Sequence, residues 1–244
     1  MVRQLVLFVV RLLTELIFLL TMTEAKVSQQ YNQLATVYDQ RWKHYVANTL
    51  EFLKAWVLLS STEKVLDIAC GTGEFERIVL AEHSTQEIVG IDISEQMLAI
   101  AKHKHHSFPS VSFQIANASV LPFADNNFDV VVSANAFHYF GNPVAALKEM
   151  RRVLKPGGRV VILDWCRDFI VCQICDVFLK LVDPAHRQCY TQEEFHHLLT
   201  TSGFEVERAK RLRFGWIWGL MIATATPSTN ATATQNEPGT SVES

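Results

Sequence analysis

The sequence predicts an α/β fold: an open, doubly wound sheet of seven strands, mostly parallel, with an antiparallel hairpin at its C-terminal end. Three observations carry this. Short β-branched runs alternate with longer amphipathic stretches, the pattern of parallel strands joined by crossover helices. Those runs are continuously apolar rather than alternating, as strands covered on both faces are. Past residue 203, two runs follow one another without a helix between them, so a hairpin closes the sheet.

The elements follow in order. KVLDIA at 64–69 is the first strand, and a helix starts behind Gly73. EIVGID at 87–92 is the second strand, followed by a helix from its N-cap Ser94 to about Lys104. VSFQIA at 111–116 and FDVVVSA at 128–134 are the third and fourth strands. A helix from Pro143 to Leu154 is stopped by Lys155-Pro156-Gly157-Gly158, and GRVVILD at 158–164 is the fifth strand. Helices near 171–182 and 191–201 come next, the second ended by Gly203, and the hairpin strands lie near 204–210 and 214–224. This is a Rossmann-like plan, in which ligands lie at the carboxyl ends of the strands.

The domain is expected at 23–225. Residues 2–20 are strongly apolar but carry Arg11 and Glu15 near their middle, which disfavours a spanning helix. No cleavage site of the secretory kind follows. Three readings stay open: an upstream start with Met22 as the true first residue, a membrane-surface or weakly anchoring helix, and a helix packed on the domain. Residues 226–244 have almost no large apolar side chains and are expected to be disordered. A net charge of -3 gives no support for a nucleic-acid partner, and a small-molecule substrate fits better. Five cysteines, an odd number, point to a reducing, cytoplasmic setting, peripheral to a membrane if residues 2–20 bind one. Cys172-x-x-Cys175 alone is a weak metal signal, so no metal is expected. The cluster His103, His105, His106 is expected to be a solvated helix end.

The strongest signal is Asp67-Ile-Ala-Cys-Gly71-Thr-Gly73, with Asp92 nineteen residues beyond Gly73. Glycines at 71 and 73 let a ligand approach the backbone. A carboxylate about 20 residues after such a loop is placed to accept both ribose hydroxyls. The position where a dinucleotide-binding loop has its third glycine is Glu76. Glu74 and Glu76 in the first helical turn would repel a pyrophosphate, and with Asp67 they favour a cationic nucleoside such as S-adenosylmethionine. An NAD(P)-dependent oxidoreductase and a non-catalytic S-adenosylmethionine-binding module remain alternatives.

In order along the chain, VLDIACGTGEF, GIDISEQML, VLPFADNNFDVVVSANAFHYF and LKEMRRVLKPGGRVVILD resemble the blocks of the class I methyltransferases, in the broad group called type 11. The resemblance covers roughly residues 28–224. It implies an S-adenosyl-L-methionine-dependent enzyme that methylates a small molecule, of quinone, phenol or lipid-like type. It also implies a cofactor site at Asp67, Ala69, Gly71, Gly73, Asp92, Ile93, Met97, Asn117, Ala118 and Ser133. Gly71 and Gly73 would pass under the methionine portion, Asp92 would hold the ribose, and Ile93 with Met97 would flank the adenine. Asn117 stands where many members have an Asp, and its side-chain oxygen can still accept from the adenine amino group. Tyr31 and Tyr38 fall in a segment that resembles the family's N-terminal lid.

Methyl transfer from a sulfonium needs alignment more than a base. If a base exists, His138 is the candidate, because it follows the fourth strand at the carboxyl edge and histidine titrates near neutral pH; packing among Phe137, Tyr139 and Phe140 would explain it equally well. Acceptor choice is expected in the apolar insert at Trp165–Tyr190 and in Trp216 and Trp218.

Overall fold

The computed structural model describes residues 2–183, 186–214 and 218–228, with the backbone alone for residues 2–23 and for Phe214. Trp216 and most of the expected tail lie outside the described residues. The elements are α1 (Val2–Val57), β1 (Val65–Ile68), α2 (Glu74–Leu80), β2 (Ile88–Asp92), α3 (Glu95–Lys104), β3 (Val111–Ile115) and β4 (Phe128–Ala134). A 3-10 turn (Phe137–Tyr139) leads to α4 (Pro143–Val153), β5 (Leu154–Trp165), α5 (Ile170–Val182), α6 (Gln192–Thr201), β6 (Phe204–Phe214) and β7 (Trp218–Pro227). Helix α1 runs unbroken through residue 22, where the sequence suggests a boundary.

The seven strands form one sheet in the order β3-β2-β1-β4-β5-β7-β6. β1 to β5 pair in parallel, and β7 runs antiparallel to both β5 and β6. The strand order reverses between β1 and β4, and a crevice opens at such a switch point. Leu50, Leu53, Val57, Phe75 and Ile78 from α1 and α2 pack with Val130, Val132 and Val161 in one core. Leu147, Met150, Phe195 and Leu199 from α4 and α6 pack with Leu66, Val131 and Ile162 in the other. Edge strand β3 is only half covered, with Ile115 exposed.

Local chemistry explains the boundaries. Ser94 caps α3 by accepting from Met97 N, and Asn142, ahead of Pro143, caps α4 by accepting from Ala145 N. Thr191 and Glu194 form a reciprocal capping box on α6. The hairpin differs from expectation: β6 continues to Phe214 because Arg211, Leu212 and Arg213 pair with Met221, Leu220 and Gly219. Basic side chains on an edge strand read as a loop in the sequence, although they leave backbone pairing intact.

Candidate active site

At the carboxyl ends of β1, β2, β3 and β4, beneath the middle of α1, lies a cleft enclosing about 820 Å³, part of it open to solvent. Its walls include Ala69, Gly71, Asp92, Ile93, Met97, Asn117 and Ala118 from the sheet side, and Tyr31 and Tyr38 from α1. The chain thus brings together nine of the predicted residues. Asp67, Gly73, Ser133 and His138 stand behind the walls instead.

Asp92 sits at the end of β2. Its carboxylate accepts from Gly71 N at 3.0 Å and Ser94 N at 2.8 Å, and burial raises its pKa despite those bonds. Ala69, with φ of 62°, and Asn135, with φ of 55°, both line the cleft in the left-handed region, a strain found where a backbone is shaped for a ligand. Gly71 has φ of 57°, and a Cβ built on it would meet no atom within 4 Å; the space above it is open. Gly73 has φ of 77°, and its Cβ would lie 2.8 Å from His105 Cε1. The two glycines therefore do different work, one facing the cleft and one admitting a ring. His105 is accordingly buried, not solvated as expected, and burial lowers its pKa; His103 and His106 are exposed and stack on each other.

The electrostatic picture also differs from expectation. Glu74 pairs with Arg77 and Lys104, and Glu76 is fully buried with neither oxygen hydrogen-bonded. Neither lines the cleft, because Glu76 faces the β2 backbone near Gly90 and Glu74 turns to the surface cations. Burial raises Glu76 to about 8, which keeps it protonated at neutral pH, and raises Asp67 well above the usual carboxylate range. The carboxylates that line the cleft are Asp92 and, from α1, Glu24. Ser133 donates from its hydroxyl to Ile68 O at 3.0 Å and so braces β1 against β4. Asn117 accepts from Ser119 N through its amide oxygen at 2.9 Å; one lone pair is committed, and its NH2 group is the remaining donor.

Helix α1 roofs the cleft. Ser28 donates to Ile93 O at 3.0 Å, and Asn32 accepts from Ser94 Oγ at 2.7 Å and Gln96 N at 3.1 Å. Asp39 accepts from Thr72 Oγ1 at 2.5 Å. Tyr31 meets Tyr38 at 6.1 Å and Tyr139, edge-on, at 5.7 Å, and burial pushes all three phenols up, Tyr139 to about 12.

His138 is buried. Its Nδ1 lies 2.6 Å from Asp164 Oδ1, and Asp164 also accepts from His138 N and Trp165 N, both at 2.7 Å. The ring stacks on Trp165 at 4.7 Å, and Nε2 has no partner. Donation of Nδ1–H to Asp164 leaves the lone pair on Nε2. Nearby, Asp176 accepts from His186 Nε2 at 2.8 Å, Cys189 N at 2.7 Å and Lys180 Nζ at 2.7 Å. Asp176, His186 and Cys189 are metal-ligating residue types, but the carboxylate is already supplied with donors. Cys172 and Cys175 are free thiols; Cys172 Sγ packs on the backbone of Gly219. Among the described residues, no helix is long and apolar enough to cross a membrane.

Sequence reasoning missed Asn135, Tyr139, Phe140 and Gly141 as cleft residues, and Asp164 as the partner of His138. Asp164 had a signal, since it is a strand-end acid like Asp92. Tyr45, which donates to Asn135 Oδ1 and accepts from Trp165 Nε1, both at 2.8 Å, had none.

Comparison with known proteins fits this geometry. A family model described as a methyltransferase domain matches residues 66–162. The demethylmenaquinone methyltransferase of Staphylococcus epidermidis is 33% identical over 182 residues, 70% of this chain and 72% of that protein. The chain belongs to the class I methyltransferases, in the type 11 group. Its cofactor is S-adenosylmethionine and it methylates a small molecule, which removes the oxidoreductase alternative. Two solved structures share the methyltransferase fold. One is a chain of the complex between the methyltransferase activator of Haloferax volcanii and a methyltransferase, with TM-score 0.71 and 18% identity, covering 81% of this chain and 97% of that one. The other is the 4+2 cyclase SpnF, with TM-score 0.69 and 18% identity, covering 83% and 95%. The cyclase shows that this fold alone does not dictate a reaction.

The residues of this methyltransferase fit the cofactor. The cleft offers what such a cofactor needs: a carboxylate at Asp92, open space above Gly71, and apolar side chains at Ile93 and Met97. The third and fourth sequence blocks are fastened to each other. Arg152, from the helix block, donates to Leu121 O, Phe123 O and Asp125 of the LPF-x-D segment. Asp129, of the FD pair, accepts from Lys64 N and Lys155 Nζ.

Proposed function

We propose that the acceptor is an aromatic quinol or phenol carried on a lipid-like molecule. The observation that carries this is the lining of the cleft, which sets aromatic Tyr31, Tyr139 and Phe140 in one cavity with the carboxylate of Asp92 and the open backbone at Gly71. The S. epidermidis relative is named for a quinone substrate, which supports the same class. The bound cofactor supplies an electrophilic methyl group. The protein aligns the acceptor behind it and excludes water under α1, and alignment of this kind is worth up to about 7 to 11 kcal/mol. We assign His138 Nε2, which lies behind the cleft wall beside Tyr139, as the group that takes the acceptor's proton through one bridging water, with Asp164 holding the ring in the required tautomer. Asp92 is assigned to the ribose, Ile93 and Met97 to the adenine, and Tyr31 and Tyr38 to the lid. Residues 2–20 are assigned to peripheral membrane contact, and their deletion should reduce sedimentation with lipid vesicles while cofactor affinity stays unchanged.

The test is a methyl-transfer assay on quinols, phenols, sterols and phospholipids. Methylation of a quinol or phenol is expected. Transfer only to sterols or phospholipids overturns the aromatic acceptor, and cofactor binding without transfer to any of them favours a binding module.

A further inference from the structure

Helix α5 is inverted. Ile170, Ile174, Val177, Phe178, Leu181 and Val182 are 56 to 82% exposed, and their spacing puts them on one face of the helix. The acid of α5, Asp176, points inward and is buried, where it anchors the backbone of Cys189 and the ring of His186. A water-facing helix is arranged the other way round. An exposed stripe of large apolar side chains marks an interaction surface.

The charges beside the stripe identify what covers it. Arg187 just after the helix is exposed, the ammonium of the exposed Lys180 is shared with the buried Asp176, Asp183 is half-buried, and α5 itself exposes no acid. An apolar stripe with an exposed arginine at its end and no exposed acid on the helix matches a bilayer carrying anionic headgroups, in which the apolar face enters the acyl boundary and the guanidinium meets the phosphates. The position agrees. Gln30 of α1 donates to Asp183 at the end of α5, and α1 continues from there toward residues 2–20, whose sequence is strongly apolar. Both apolar segments thus belong to one end of the molecule, beside the cleft aromatics Tyr31 and Tyr139.

We propose that the outer face of α5 is a membrane-docking surface, lying in the headgroup layer of an anionic bilayer and setting the cleft mouth against the lipid. The docking stands on the helix itself. The lipid-like acceptor gives it a purpose and rests on the functional proposal, so a failed methylation assay would leave the docking result intact.

The test uses the full chain and vesicles of phosphatidylcholine with phosphatidylglycerol. Ile174→Glu/Phe178→Glu/Leu181→Glu should lower vesicle partitioning by at least about tenfold, with cofactor affinity unchanged as the check on folding. Because residues 2–20 could hold the chain on vesicles unaided, a local reporter is needed. Phe178→Trp should add tryptophan emission that brominated phospholipids quench and that is unquenched without vesicles. If the emission that Phe178→Trp adds to that of the five native tryptophans is not quenched in the vesicle-bound protein, the proposal is overturned, whether or not residues 2–20 keep the triple variant on the vesicles. Light scattering that shows a dimer dissolved by the triple substitution, with lipid binding unaltered, overturns it in favour of a second copy on this face.

Discussion

Replacing Glu76 with Gln should make the protein less sensitive to alkaline pH. Glu76 is fully buried, neither of its oxygens has a hydrogen-bond partner, and burial lifts its pKa from the ordinary 4.5 to about 8. A carboxyl whose pKa is raised on folding stabilises the native state fully below its unfolded pKa. That contribution is lost as pH climbs toward the folded value, because the unfolded chain releases the proton first. The window is therefore about pH 4.5 to 8. At about 1.4 kcal/mol per pH unit, the loss across it has a ceiling near 5 kcal/mol, a large share of the roughly 5 to 15 kcal/mol that holds a domain together. Glu76→Gln keeps the shape and removes the ionisation. Urea unfolding of both proteins between pH 5 and 9 measures the effect. The wild type should lose several kcal/mol more than the variant over that range, and Asp67, which burial and then Glu76 push up, should also lose part of its slope in the variant. Parallel curves would refute the buried, protonated state of Glu76.

Four further outcomes are expected. Asp92→Ala should weaken S-adenosylmethionine binding by about 1 to 3 kcal/mol in calorimetry, through loss of charge-assisted bonds to the ribose; unchanged affinity in a folded variant would remove the ribose assignment. Gly71→Val should abolish cofactor binding with the circular dichroism spectrum unchanged, since its side chain enters open space above the loop. Both variants put a β-branched residue at positive φ and should cost stability, but Gly73→Val should cost about 1 to 3 kcal/mol more, because only its Cβ meets the ring of His105; equal unfolding midpoints for the two glycine variants would contradict this contrast. His138→Gln should lower turnover about 10² to 10⁴-fold with cofactor affinity unaltered; undiminished turnover would leave His138 a packing residue.

The sheet was readable because its strands are short apolar runs between turn residues, and its ligand loop because Gly71 and Asp92 stand a fixed distance apart. Glu74 and Glu76 misled for a physical reason. A carboxylate in a first helical turn reads as facing a ligand at the helix N-terminus, yet Glu76 points toward the β2 backbone while Glu74 pairs with Lys104 from α3, and such partners are fixed only by tertiary packing. His105 misled likewise, since two exposed histidines flank one that fills the gap left by Gly73. The roof was least legible. Tyr31 and Tyr38 were visible as aromatics, but Ser28, Asn32 and Asp39 are ordinary helix-surface residues until α1 meets the loops that they fasten.

Those fastenings bear on the order of events in turnover. Ser28, Asn32 and Asp39 join α1 to the β1–α2 loop and the β2–α3 corner, the segments that carry Gly71 and Asp92. A nucleoside held between them leaves only when several bonds release together, whereas the cleft wall at Tyr139 and Phe140 is not clasped by them. Steady-state kinetics should accordingly be sequential and ordered, with S-adenosylmethionine first on and its demethylated product last off. That product should inhibit competitively against S-adenosylmethionine and noncompetitively against the acceptor.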